Sequence, residues 1–145
     1  MQSLEEALAP LPIVAYRYFE KIDSTNEEAT RWVEEGAPNL ALVIANEQTA
    51  GRGRLNRRWH TPPDVALAFS LIIKNIKPPA LHREVSFPRL TALGALAVCQ
   101  ALGRLYQLQA EIKWPNDVLV GRRKLAGILT EAIWQGEKLV AAILG

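Results

Sequence analysis

Four short extended patterns follow one another in the last third of the chain, over residues 111–114, 118–120, 125–134 and 138–144, separated by turn-prone segments around Gly121 and Gly136. Strands joined by connections this short pair antiparallel, because a parallel neighbour needs a crossover of about a dozen residues or more. Upstream, extended and helical patterns alternate without internal repeats, which excludes a solenoid. Residues 3–9 read as a short helix stopped by Pro10, and 13–19 as a strand of β-branched and aromatic residues. Residues 40–45 form a short apolar run typical of a buried strand, and 65–73 another. The expected fold is α+β, with a mixed, mostly antiparallel sheet covered by helices.

Two helices are legible in more detail. Ser24 with Glu27 three residues later makes a capping-box pattern, and Gly36 closes the helix through Arg31, Trp32 and Val33. Residues 87–106 carry apolar side chains on nearly every face, so a central helix packed on several sides is expected. Between them lies a polar, glycine-rich segment over 46–63, longer than the loops that usually join elements in a compact domain.

With 49% hydrophobic and 22% charged residues in 145, the chain supports one core and one domain, 1–145. A net charge of +2 gives little whole-molecule attraction for nucleic acid or a membrane. The charge that matters is local: Arg52, Arg54, Arg57 and Arg58 crowd one loop, whose partner should be anionic. The single cysteine, Cys99, sits in an apolar run, which reads as a buried thiol in a reducing compartment. No apolar stretch approaches the roughly 20 residues that span a bilayer, and the expected location is the cytoplasm.

Chemistry concentrates in three segments: DSTN at 23–26, QTAGRGRLNRRW at 48–59, and KWPND at 113–117 followed by RKLAGIL at 123–129. Ser24, Thr25 and Asn26 suit a helix cap, and equally a small polar pocket lined by free backbone N–H groups. In the second segment Gly51 and Gly53 give backbone freedom, and Arg52, Arg54 and Arg57 offer planar forks for phosphate or carboxylate oxygens; a solvated or RNA-binding loop would use the same residues. Trp59 is either a hydrophobic anchor or a stacking surface. Lys113 and Lys124 could be ordinary strand lysines, but Lys124 precedes an apolar strand in which Gly127 leaves room for a ligand. His60, His82 and Cys99 lack partners at metal or nucleophile spacing and read as structural.

Taken together and in this order, the segments resemble the catalytic domain of the biotin protein ligase family, over residues 13–145. The resemblance implies a class II synthetase-like, biotin/lipoate ligase-like domain that activates biotin with ATP and Mg²⁺ to biotinyl-AMP and passes it to a lysine of a biotin carboxyl carrier protein. It implies a biotin pocket of Ser24, Thr25, Asn26, Gln48, Gly51, Arg52, Lys124 and Gly127. ATP would meet Arg54, Arg57, Trp59 and Asn116, and the catalytic groups would be Lys124, Arg54 and Asp117, the last near the acceptor lysine. Asp64 and Ala66 depart from the family, which commonly has glycine, or asparagine, after the Thr61-Pro62 turn. The apolar end at Gly145 reads as a C-terminal truncation ahead of the segments that complete the family's ATP site. A lipoate or octanoyl ligase or transferase of the same fold is the nearest alternative, and a nucleic-acid module built on Arg52–Arg58 the other. Too few residues precede the first strand for a helix-turn-helix domain, so no specific DNA partner and no membrane partner are expected, and a homodimer is allowed for.

Overall fold

The chain is described here by a computed structural model over residues 3–76 and 86–145; His82 lies outside them. A main sheet has the strand order β1-β2-β3-β8-β7, built from β1 (Ala15–Ile22), β2 (Ala41–Gln48), β3 (Ala68–Ile73), β7 (Thr130–Gln135) and β8 (Lys138–Leu144). Only β1 and β2 pair parallel, because the helix α2 (Thr25–Glu34) carries the chain back between them; the other pairs are antiparallel. A second sheet, β4-β5-β6, comprises β4 (Ala110–Lys113), β5 (Asp117–Val120) and β6 (Arg123–Gly127). The expected mixed, mostly antiparallel architecture is present, divided over two sheets.

Side-chain alternation decides which face is buried. Val43, Ile72 and Ile143 occupy neighbouring register positions on one face of the main sheet, where Ala29 and Val33 of α2 pack over them. Each such aliphatic side chain contributes about 1.5–3 kcal/mol on leaving water. The helix ends as expected: Gly36, at φ 94°, donates to Val33 O, and Ala37 donates to Trp32 O, a closure that requires the left-handed conformation. Its start differs. Ser24 occupies the cap position without a side-chain cap bond, and Glu27 turns to Arg52, whose guanidinium attracts it more strongly than a neutral backbone N–H does.

The strand expected over 125–134 is two strands in different sheets. The break at Ile128 and Leu129 has its own partners: Ile128 donates to Asn116 O, and Leu129 and Gly145 exchange both backbone bonds. The segment expected over 65–73 starts later, at Ala68, because Asp64 is left-handed at φ 64° and exchanges bonds with the Asn46 amide, which keeps Val65 and Leu67 off the sheet and exposed. Asp64 therefore adopts the conformation that glycine takes most easily, while the Asn46 pair compensates; Ala66 is simply exposed.

A short helix, α1 (Leu4–Leu8), has a complete capping box from Ser3 and Glu6. The long helix α3 (Ser86–Tyr106) packs through Ala95, Val98, Cys99 and Leu102 against Val118 and Ile128. Gly94 allows this approach, since a Cβ there would lie 3.2 Å from both Ile128 and Leu144 side chains. Leu93, Leu96, Leu105 and Tyr106 are exposed, so the helix is covered on fewer sides than expected. Cys99 is half-buried beside that cluster rather than enclosed. No helix among the described residues is long and apolar enough to cross a membrane.

An ionic cluster fixes α2 to β1. Arg17 bonds Glu28 and Glu35 and stacks on Trp32, and Arg31 bonds Glu28 and Asp23. Hydrogen bonds from Arg31 hold the Asp23 carboxyl below its ordinary value. A carboxylate depressed in the folded state stabilises above its unfolded pKa and loses that contribution as pH falls through the folded one. Arg31→Met is expected to flatten the decline of the urea midpoint between the ordinary carboxylate range and the acid transition; an unchanged slope would show that Asp23 plays no part in it.

Candidate functional site

The end of β2, the first turn of α2, the middle of β3 and the arginine loop meet at one place. Gln48 organises it: its Oε1 accepts from the Thr25 backbone N–H at 2.8 Å and from Thr25 Oγ1 at 3.1 Å, and its Nε2 donates to Thr61 Oγ1 at 3.0 Å. The Thr25 N–H, expected to be free, is thus taken by a pocket side chain. Ser70, fully buried, reaches Thr25 Oγ1 at 2.8 Å and Asn26 Oδ1 at 2.5 Å. With one proton to give, its hydroxyl favours the amide oxygen, a pure acceptor. Ser24, Thr25 and Asn26 are all buried, so the floor of the pocket is polar, dense and satisfied.

The arginine loop is folded rather than loose. Trp59 donates to Gly51 O and Gly53 to Arg57 O, making a small hairpin whose tip, Leu55 and Asn56, is left-handed. Gly51 is indispensable to it: a Cβ there would lie 2.5 Å from Trp59 O and 3.0 Å from Gln48 Nε2. Gly51→Ala should therefore unseat the loop from the pocket floor while α2 and both sheets persist. Trypsin should cut residues 52–58 several times faster in the variant, and equal cleavage would show the hairpin tolerates the methyl group.

Each arginine of the loop, and Lys124, already has a protein partner, with one exception. Arg52 Nη2 lies 3.0 Å from Glu27 and 2.6 Å from Glu131. Arg54 Nη1 donates to Asn116 Oδ1 at 3.2 Å, and Asn116 Nδ2 in turn donates to Ile128 O. Lys124 Nζ pairs with Asp117 at 2.8 Å and stands 5.0 Å above the Trp59 ring. Gly127 completes this corner, since a Cβ on it would sit 3.3 Å from both Lys124 and Trp59. The exception is Arg57, exposed and outside these contacts among the described residues; His60 is exposed as well. Lys113 and Trp114 are likewise exposed and do not join the site.

Four site residues were not anticipated: Thr61, Ser70, Glu27 and Glu131. Ser70 and Glu131 did leave a trace, as the lone polar residue of the apolar 68–73 run and the lone acid of 125–134. A polar residue on a buried strand face needs a partner, and that need is the signal. Thr61 and Glu27 sit in polar surroundings and leave none.

The polar floor, the hairpin of arginines and the lysine at their edge thus lie together within one α+β domain. The chain belongs to the biotin/lipoate A/B protein ligase family, whose model matches residues 18–145. It is 38% identical over 128 residues to the bifunctional ligase/repressor BirA of Bacillus spizizenii, covering 88% of this chain and 38% of that protein. It is also 38% identical over 127 residues to the biotin–[acetyl-CoA-carboxylase] ligase of Paracoccus denitrificans, covering 86% of this chain and 50% of that one. Among solved structures, the biotin protein ligase of Aquifex aeolicus in complex with biotin and ATP superposes with a TM-score of 0.70 at 28% identity, over 91% of this chain and 52% of its own. The chain thus spans about half of these relatives or less.

Proposed function

We propose that this chain forms the core of a biotin protein ligase, which joins biotin to ATP as biotinyl-AMP and then to a carrier-protein lysine. The observation that carries the reading is the Lys124 corner, where Asp117, Trp59 and Gly127 hold an ammonium beside the Arg54–Asn116 pair. The two curated relatives above are named as ligases, and the Aquifex aeolicus structure holds biotin and ATP.

In the first step a biotin carboxylate oxygen attacks the α-phosphorus of ATP, and pyrophosphate leaves. The second begins when a carrier amine attacks the acyl carbon; it loses a proton, and AMP departs. Thr25, Asn26 and Gln48 would orient the polar ring of biotin, with Gly51 keeping the hairpin seated beside them. Lys124 and Arg54 would move from Asp117 and Asn116 to the anionic oxygens, and Trp59 would offer its face to the adenine. Asp117, released from Lys124, becomes available to accept the proton of the incoming amine. Mg²⁺ bound with the nucleotide would neutralise phosphate charge; among the described residues no three acidic, histidine or cysteine side chains are drawn together, so no side chain is assigned to it.

We place the reaction in the cytoplasm, where ATP and a carboxylase carrier domain coincide. The test follows pyrophosphate exchange with ATP, Mg²⁺ and either biotin or lipoate, using the complete protein that contains this chain. Biotin-dependent exchange is expected; exchange with lipoate alone would move the chain to the other branch of its family.

A further inference from the structure

We propose that Glu131 is a positioning residue that ties the arginine loop to the pocket floor, so that Arg52 and Asn26 meet the ligand as one unit. The inference rests on the ligase reading. Glu131 lies on β7 opposite Ile143, on the sheet face that α2 covers. Its side chain is 27% exposed, so the carboxylate gives up part of its hydration and its partners offset that loss.

Its partners arrive from opposite directions. Arg52 Nη2, from the loop, bonds both carboxylate oxygens at 2.8 and 2.6 Å. Asn26 Nδ2, from the first turn of α2, donates to Oε2 at 2.7 Å. Glu131 thereby fixes which way the Asn26 amide faces: reversed, the amide would set its oxygen against the carboxylate and its nitrogen against the Ser70 hydroxyl that now serves Oδ1. A continuous path results, from Arg52 through Glu131 and Asn26 to Ser70 and Thr25, whose backbone N–H then donates to Gln48.

The use of Arg52 supports the same role. Its bonds to Glu27 and Glu131 all employ Nη2, which leaves Nε and Nη1 uncommitted among the described residues. Gripped by one nitrogen, a planar fork has a fixed plane and can present its other donors to a ligand without first being ordered. Glu27 alone could not do this, because it sits on the same helix turn as Asn26 yet makes no bond to it among the described residues.

Glu131→Gln separates the two partners. The amide oxygen can still accept from Asn26, but its nitrogen then faces the Arg52 donors. In the complete ligase we expect the KM for biotin to rise about tenfold, with kcat for pyrophosphate exchange within about twofold of the parent. Trypsin should also cleave residues 52–58 faster in the ligand-free variant. Arg52→Ala combined with Glu131→Gln should be no worse than Arg52→Ala alone, since both remove one linkage. A lowered melting temperature with unchanged KM, or a double variant equal to the product of the singles, would overturn the proposal. The ligase reading fails separately, if the parent makes no biotinyl-adenylate; in that event unaltered trypsin cleavage in E131Q still decides against Glu131.

Discussion

Lys124→Ala is expected to slow biotinyl-adenylate formation by about two to three orders of magnitude, the scale for deleting one positioned donor from a reacting oxygen. Charge, not packing, is what the substitution removes. The side chain lies at the pocket edge, its ammonium shared between Asp117 and the Trp59 face. Truncation to alanine also strips the methylenes that lie beside Gly127, so Lys124→Met is the sharper comparison. Both variants should melt near the parent temperature, and both should lose adenylation by similar factors, measured as pyrophosphate exchange in the complete enzyme. Methionine at near-parent rates would show that Lys124 acts by shape alone.

Arg54→Gly is expected to separate making the intermediate from keeping it. Arg54 touches the body of the protein through a single 3.2 Å bond to Asn116, and it sits beside the left-handed tip of the hairpin. Gly53 is already on one side, so a second glycine lowers the order of the segment further. Biotinyl-AMP should then escape about tenfold or more faster while its synthesis falls much less. The readout is biotin found on an unrelated protein, such as an albumin, mixed with the complete enzyme. Adenylate made at a near-normal rate without a rise in bystander labelling would remove the retention role from Arg54.

What could be read from the residues follows a physical division. The β7–β8 hairpin and the end of α2 were legible because each is specified by neighbours: Gly136 at φ 58° for the turn, Gly36 at φ 94° for the cap. The partition of strands between two sheets was not, because the apolar run 125–134 has no local mark at Ile128. Its break is set by Asn116 and Gly145, which lie elsewhere in the chain. The site shows the same split. Among the residues that the resemblance singled out, Arg54 bonds Asn116 and Lys124 stands over Trp59, whereas Arg57, expected with them, is exposed. The Ser24 and Glu27 cap failed because Asp23 takes the Ser24 N–H and Arg52, far along the chain, holds Glu27. Long-range pairing of charges leaves little trace in a single sequence.

The pairing of Lys124 with Asp117 has a consequence for how an anion enters. A bare ammonium in a pocket attracts every small anion in solution, and salt weakens whatever binds it. Here an incoming carboxylate exchanges with one already present, so the number of ion pairs is nearly conserved across the binding step. Chloride gains little by taking the place of a covalently tethered competitor. The domain should therefore discriminate by shape at the polar floor rather than by net attraction, and its affinity for biotin should vary only shallowly with ionic strength.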